Sequence, residues 1–410
     1  MARPRDSTHF LSRGMFARLA MVGSVVAASH SGSDAPRPDR KVRWGIMGTG
    51  AIAADFTRVL SQLPDAEVAA LGSRSADRAM EFARELGIDA GVTTLHSSYD
   101  DLVADDSLDI VYVATPSLRH VRACQLDCSA CASICSACAP NLPPRPPLNA
   151  QVEDSLRCLE AGRAVLCEKS MAPSAAEAER VLEVARRQQL FFCHGVWSRF
   201  FPAMADIRRV IDSGAIGEVR SVHCSFCQAD GAGACSATLE TGVYCAQFCL
   251  WAFGGAAPRV AGVTYALHPE SQLDTHVSAL LQFPCGGVGT IECSLGHASP
   301  REATICGTKG VLRVPYPFWC PTEFSVQTMS GPASQQWSEP QTYRTALPEI
   351  AGDFNFVNSQ GLAYEAGEIT RCLRSGLLEA PAFDSEACLR VMQVITDIRA
   401  HWLPPAAVAS

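Results

Sequence analysis

Apolar residues follow two rhythms along this chain. Between residues 42 and 114, short apolar runs alternate with stretches of helical spacing. Val42-Arg43-Trp44-Gly45-Ile46-Met47 reads as a buried strand. The next stretch, 51–63, sets Ile52, Phe56, Val59, Leu60 and Leu63 at helical spacing. Residues 67–72 predict a second strand, 77–86 a second helix and 108–114 a third strand. A β-α-β-α-β order predicts a doubly wound parallel sheet. After Gly217 the rhythm shortens. Strand-like segments recur over 217–227, 260–267, 277–283, 287–295 and 303–314, and alternation is visible in Val219, Ser221, His223 and Ser225 against Arg220, Val222, Cys224 and Phe226. Several adjoining strands predict a largely antiparallel open sheet. The polar run 326–343 reads as loop, and 364–376 and 385–402 read as helices that pack back on the first half. The expected fold class is α/β: an N-terminal Rossmann doubly wound parallel sheet plus a C-terminal α+β domain with a largely antiparallel open sheet.

Composition narrows the possibilities. The chain has 410 residues, 48% hydrophobic and 19% charged, with a net charge of −8. That is ample material for sizeable cores and too little charge for disorder. No basic footprint argues for nucleic acid, and no apolar run of about 18 residues argues for a membrane span. Nineteen cysteines is an odd and high count. They are scattered through apolar segments, for example Cys167, Cys193, Cys245, Cys249 and Cys306. There they act as small reduced hydrophobes rather than as a disulfide framework.

Two segments look foreign to this pattern. In 1–40, Arg3, Arg5, Arg13 and Arg18 alternate with Ser, Thr and Ala, and Asp6 is the only acid before Asp34. With the short apolar stretch 15–28, this reads as a targeting or disordered extension, and the mature protein as cytoplasmic or organellar rather than secreted. In 122–151, Cys124, Cys128, Cys131, Cys135 and Cys138 precede a proline-rich run without an accompanying histidine. Structural zinc sites use two close pairs separated by a loop, so this reads as an insertion at the start of a helix, and no metal site is expected.

The candidate chemistry begins after the first strand. Gly48-Thr49-Gly50-Ala51-Ile52-Ala53 is G-x-G-x-x-A at a strand-to-helix turn. Gly48 permits the tight turn, Gly50 the approach of a pyrophosphate, and Ala53 close helix–strand packing, with the helix N-terminus facing the phosphates. The second strand ends in Ser73-Arg74-Ser75-Ala76-Asp77-Arg78 rather than in an acid for a ribose hydroxyl. Arg74 and Arg78, one helical turn apart and assisted by Ser73 or Ser75, predict a clamp for a 2′-phosphate. The expected cofactor is therefore NADP.

Further motifs carry a resemblance. Ala114-Thr115-Pro116 with His120, then Val165-Leu166-Cys167-Glu168-Lys169, resemble the Gfo/Idh/MocA oxidoreductase family. Trp197-Ser198-Arg199-Phe200-Phe201-Pro202-Ala203, Gly242-Val243-Tyr244-Cys245-Ala246-Gln247-Phe248, Gly307-Thr308-Lys309-Gly310 and Trp319-Cys320-Pro321-Thr322-Glu323 resemble its branch of NADP-dependent dihydrodiol and D-xylose dehydrogenases. The resemblance runs from about residue 42 to about 400. It implies four parts: the extension 1–40, a Rossmann NADP-binding domain at 41–195, a substrate and dimerisation domain at 196–350, and C-terminal helices at 351–410. It implies hydride transfer from a sugar hemiacetal or a trans-dihydrodiol, a small polyol or aldose substrate, and a homodimer formed through the second sheet. Tyr244 would be the acid/base, and Lys169 the ammonium that lowers its pKa from about 10. Glu240, four residues before Tyr244, would share its helical face and orient the pair or the sugar hydroxyls. Trp197 and Arg199 would face the substrate. Thr115, Pro116, His120 and Glu168 would line the cofactor with Gly48, Thr49, Gly50, Ala51 and Ile52.

The chain departs from that family at several points. The proline after the lysine, whose peptide is typically cis there, is Ser170 here. A non-proline cis bond costs about 2.5–4 kcal/mol, so a trans or strained bond and a displaced Lys169 are expected. The usual aspartate before the tyrosine is Glu240, His194 replaces an acid, and 228–238 is a shortened loop without basic residues. These changes keep a second reading open: a catalytically impaired NADP-binding sensor or scaffold of the same fold.

Overall fold

The structure is a computed structural model that describes residues 40–115, 150–330 and 336–403. The expectations for the N-terminal extension, Pro116, His120 and the cysteine run lie outside those residues.

The first half alternates strand and helix: β1 (Val42–Met47), α1 (Ala51–Leu60), β2 (Ala66–Gly72), α2 (Ala76–Leu86), β3 (Thr94–His96), α3 (Tyr99–Ala104), β4 (Ile110–Val113), α4 (Ala150–Glu160), β5 (Ala164–Glu168), α5 (Ala175–Gln188) and β6 (Phe192–Gly195). The strands form one parallel sheet in the order β3-β2-β1-β4-β5-β6. β1 and β4 are almost wholly buried, as central strands covered on both faces must be. Trp44 packs edge-on against Phe56 of α1, which stacks on Tyr112 of β4. The strand order reverses between β1 and β4, so the loops after them part and leave a crevice at their carboxyl ends. Helix starts differ in an instructive way. α2, α3 and α5 begin on Ser75, Ser98 and Ser174, whose side chains accept a first-turn N–H. α1 begins on Gly50, with no capping side chain and no acid in its first turn.

The second half begins with a 3₁₀ turn (Trp197–Phe200), α6 (Pro202–Asp212), β7 (Val219–Cys227), a π-helical turn (Thr238–Gly242) and α7 (Val243–Ala252). Seven more strands follow: β8 (Arg259–Leu267), β9 (Asp274–Gln282), β10 (Val288–Ser294), β11 (Ala303–Gly307), β12 (Gly310–Val314), β13 (Glu323–Thr328) and β14 (Gln341–Arg344). The chain then turns into α8 (Leu362–Arg374) and α9 (Ser385–Arg399). The second sheet runs β14-β13-β12-β11-β7-β10-β9-β8, antiparallel except where β7 meets β10. Val222, Cys224, Phe226, Val277, Ala279, Leu281, Ile291 and Cys293 are buried, and α7 packs against β7 and β10. The alternate positions, among them His223, Leu280 and Thr290, are exposed.

The polar run 326–343 is not simply loop: it includes the end of β13 and β14. β14 is the edge strand and β13 the next one in, and the pair buries only Phe324 and Val326, so its apolar signal is weak. The segment 303–314 is a hairpin rather than one strand. Among the described residues, all fourteen cysteines are free, and eleven of them are buried, as reduced core residues would be. No helix of the described residues is long and apolar enough to cross a membrane.

The chain's last third returns to its first. α8 packs on α1 and β1, and α9 on α5 and α7. Thr396 Oγ1 accepts from the Ala175 N–H at 2.8 Å, at the start of α5. Asp55 of α1, fully buried, accepts from the backbone N–H groups of Asn355 and Phe356 and from the Ser359 hydroxyl.

Candidate active site

The turn after β1 has the shape its glycines predict. Gly48 has φ +113°, and a Cβ there would lie 2.7 Å from the Ala114 carbonyl oxygen. A Cβ on Gly50 would meet nothing within 4 Å. The strands thus approach closely at the first glycine and leave open space at the second, beside the uncapped α1 N-terminus. That space and those free amides fit a dinucleotide pyrophosphate. Arg78 crosses from α2 to donate to the Thr49 carbonyl at 3.2 Å and to Thr49 Oγ1 at 3.3 Å. Arg74 is exposed at the end of β2, and Ser73 is buried there. The predicted 2′-phosphate clamp therefore lies at the rim of the crevice.

Ala51, Ile52 and Thr115 line one cavity of about 550 Å³ together with Lys169, Tyr244 and Trp319. Lys169 follows β5 and Tyr244 lies in the first turn of α7. Lys169 Nζ donates to Glu240 Oε1 at 2.5 Å and to the Glu240 carbonyl at 3.2 Å. It sits 5.8 Å from the centroid of the Tyr244 ring. The Trp197 indole donates to the Tyr244 hydroxyl at 3.0 Å. That hydroxyl accepts there and keeps its own proton for another partner. Sequence reasoning named these four residues, and the fold brings them together. Thr115 and Glu168 line the same cavity.

Three expectations need correction. The Lys169–Ser170 peptide is cis rather than trans, and Lys169 lines the cavity. Both neighbours of that bond are anchored: the Ser170 hydroxyl donates to the Leu239 carbonyl at 3.0 Å, and the Met171 N–H to His194 Nε2 at 3.2 Å. Secondly, the net shift at Tyr244 is upward, not downward. Burial pushes the phenol well above its ordinary value, Glu168 and Glu240 push it further, and the Trp197 hydrogen bond opposes them only in part. Burial would lower the lysine, but Glu240 and Glu168 outweigh it and the net shift is upward. The ammonium's charge is committed to a carboxylate. Thirdly, Arg199 does not reach the cavity. Its guanidinium lies between Trp251 and Phe383 and donates to the Ala382 carbonyl at 2.8 Å.

The match to known families follows the same geometry. The NAD-binding Rossmann fold of an oxidoreductase family matches 42–195, and the Gfo/Idh/MocA C-terminal domain matches 204–313. The chain belongs to the Gfo/Idh/MocA oxidoreductase family. Among its relatives is a trans-1,2-dihydrobenzene-1,2-diol dehydrogenase of Homo sapiens, 32% identical over 368 residues, which are 87% of this chain and 96% of the relative. The enzyme of that name from Mus musculus is 34% identical over 350 residues, 83% of this chain and 90% of its own. A 3-ketoreductase from Actinomadura kijaniata, solved with NADP and TDP-benzene, superposes with a TM-score of 0.67 at 22% identity, covering 88% of this chain and 98% of its own. An aldose-aldose oxidoreductase from Caulobacter crescentus, complexed with glycerol, gives 0.67 at 17% identity, with coverages of 88% and 98%. At these identities the two structures show a shared fold.

Within this Gfo/Idh/MocA site, several residues were not assigned roles from sequence. Phe226 stacks on Trp319 with centroids 3.9 Å apart, and both line the cavity. The Arg301 guanidinium lies 4.6 Å over Tyr316 at the same wall. Asp274, at the start of β9, accepts from the Ser236 hydroxyl at 2.6 Å and from the Thr238 N–H at 2.7 Å. It thereby fixes the π turn that carries Glu240. Tyr112 donates to Glu168 Oε1 at 2.5 Å. Burial raises the Glu168 carboxyl despite that bond. Alternation could have put Phe226 on the buried face, but no local spacing connects it to Trp319.

Proposed function

We propose that the chain is an NADP-dependent dehydrogenase acting on a trans-dihydrodiol or on the hemiacetal of a D-xylose-like aldose. The carrying observation is the grouping of Lys169, Glu240, Trp197 and Tyr244 in one cavity with the glycine turn. Residues 41–195 hold the nucleotide in this reading, with Arg74 and Arg78 on its 2′-phosphate and Gly48 to Ile52 at its pyrophosphate. Residues 196–350 hold the substrate and pair two copies through the second sheet.

A bound nicotinamide supplies the hydride acceptor and donor; the proton is handled by the chain. In oxidation, the substrate C–H leaves as hydride while its O–H proton passes to the Tyr244 oxygen. In reduction, the carbonyl carbon gains hydride and its oxygen takes the Tyr244 proton. Lys169 donates a hydrogen bond to the substrate oxygen once its contact to Glu240 is exchanged. The Phe226–Trp319 stack and Trp197 offer apolar faces to a diol ring, and the relatives' activity supports a diol as first substrate. Glu240 and Arg301 meet polar substituents.

The test is to incubate the protein with NADP and either trans-1,2-dihydrobenzene-1,2-diol or D-xylose, and to follow reduced nicotinamide. Turnover is expected, with Tyr244→Phe and Lys169→Met each lowering kcat by roughly a hundredfold or more and leaving NADP affinity largely intact. Tight NADP binding without turnover in either direction would sink the reading. It would favour the sensor or scaffold alternative, to which the engaged Lys169–Glu240 pair gives its support.

A further inference from the structure

On the outer face of the second sheet, three metal-ligating side chains meet, with a fourth, His276, beside one of them. In the ladder, Ser294 of β10 stands between His276 of β9 and Cys227 of β7, and Glu292 is two residues along on the same face. His297, just past β10, folds back over them. One ligand atom from each of Cys227, Glu292 and His297 lies within 4.8 Å of the other two. His297 Nε2 is 3.5 Å and His276 Nε2 3.4 Å from the same atom, Glu292 Oε1. Bond lengths of about 2.0–2.3 Å in a tetrahedron set ligand atoms about 3.3–3.8 Å apart. The two imidazole–carboxylate separations fall in that range.

The surrounding hydrogen bonds orient the ligands. Ser294 Oγ donates its one proton to the Thr275 carbonyl at 3.0 Å. Its 3.0 Å contact to His297 Nδ1 must then be one that it accepts. The His297 Nδ1 therefore carries a proton, and the ring is held with Nε2 towards the Glu292 carboxylate. The outer nitrogen held by a fixed acceptor is how a metal-binding histidine is oriented. The loop is anchored as well: the Cys227 N–H donates to Ser299 Oγ at 3.1 Å, and the Leu295 N–H to the Thr275 carbonyl at 2.9 Å. Cys227 is buried, while Glu292 and His297 are 38% and 45% exposed at their side chains in the single chain.

We propose that Cys227, Glu292 and His297 bind a zinc-class divalent cation on the outer face of the second sheet, with water completing its shell. Thiolate and carboxylate together balance two positive charges, and mixed sulfur, nitrogen and oxygen donors suit zinc. Binding displaces the thiol proton, so the site fills less readily as pH falls. The ion joins β7, β10 and the loop after β10, and acts as a brace on the sheet face opposite Phe226. Its ligands are scattered over 70 residues of sequence, with no motif spacing to betray them.

The test uses the full chain, stripped with a chelator and titrated with zinc against a chromophoric competitor. One equivalent is expected to bind at this site and to raise the melting temperature. Cys227→Ser and His297→Ala each weaken that equivalent by roughly tenfold or more, and Tyr244→Phe leaves it unchanged. Cobalt loaded into the unaltered chain gives an independent reading that no folding defect can confuse. Loss of tetrahedral d–d and thiolate charge-transfer bands on adding one equivalent of zinc supports the site. Zinc stoichiometry unchanged in a folded Cys227→Ser/His297→Ala protein overturns the proposal. So does a wild-type cobalt spectrum without a thiolate band, or a His297 that titrates as an imidazolium paired with Glu292 and is indifferent to zinc.

Discussion

In the proposed reaction the protonation of the Tyr244 hydroxyl decides which direction runs. Burial and two nearby carboxylates hold its pKa well above the ordinary value. The phenol is thus in the protonated form that carbonyl reduction needs, whereas alcohol oxidation needs the phenolate. For oxidation, kcat/KM is expected to climb with pH into the alkaline range, because the acceptor form appears only there. For reduction the profile should stay flat through neutrality and fall at that same high pH. Glu240→Gln removes one of the carboxylates and frees Lys169, so it should move both limbs to lower pH; paired pH–rate profiles of variant and parent check this. Lys169 and Tyr244 were legible because the chemistry and the surrounding motifs agree on them. The commitment of Lys169 to Glu240 was not, since it depends on a π turn held by Asp274 from a distant strand.

At the scale of elements, most strands and helices could be read from periodicity, since buried parallel strands are continuous apolar runs. The errors have physical causes. β14 lies at an edge, β13 is next to it, and the two bury little. β3 is three residues long. The segment before α8 has no periodicity at all, yet its Asn355 and Phe356 amides and Ser359 hydroxyl satisfy the Asp55 carboxylate inside α1. Removing that carboxylate leaves the buried Ser359 hydroxyl and two part-buried amides without their partner, so Asp55→Ala should cost about 1–3 kcal/mol. Denaturant unfolding with an unchanged slope would measure it.

For the whole molecule, the expected two-sheet architecture holds, and the junction of its layers carries a buried histidine. His194, at the end of β6, accepts from the Met171 N–H, and its Nδ1 lies 3.4 Å from the Cys388 sulfur of α9. Burial, with Lys169 nearby, depresses it from 6.5 to about 3. The sign follows from who takes the proton. Between pH 6.5 and 3 the unfolded chain binds it and the folded one does not. His194 therefore contributes full stability above pH 6.5 and loses it progressively toward pH 3. The stability gap between the parent and His194→Gln should narrow over that window, as melting temperatures at a series of pH values would record.

Asp55 and Asn355 stand 300 positions apart. A ribosome making this protein finishes the β1–α1 unit long before the segment that satisfies its buried carboxylate has emerged. The nucleotide-binding half therefore has only Arg58, one helical turn away, beside that carboxylate until translation is nearly complete. A chain released early, short of position 355, would contain every glycine of the cofactor turn and still lack the closing contact that lets α1 settle in its native place.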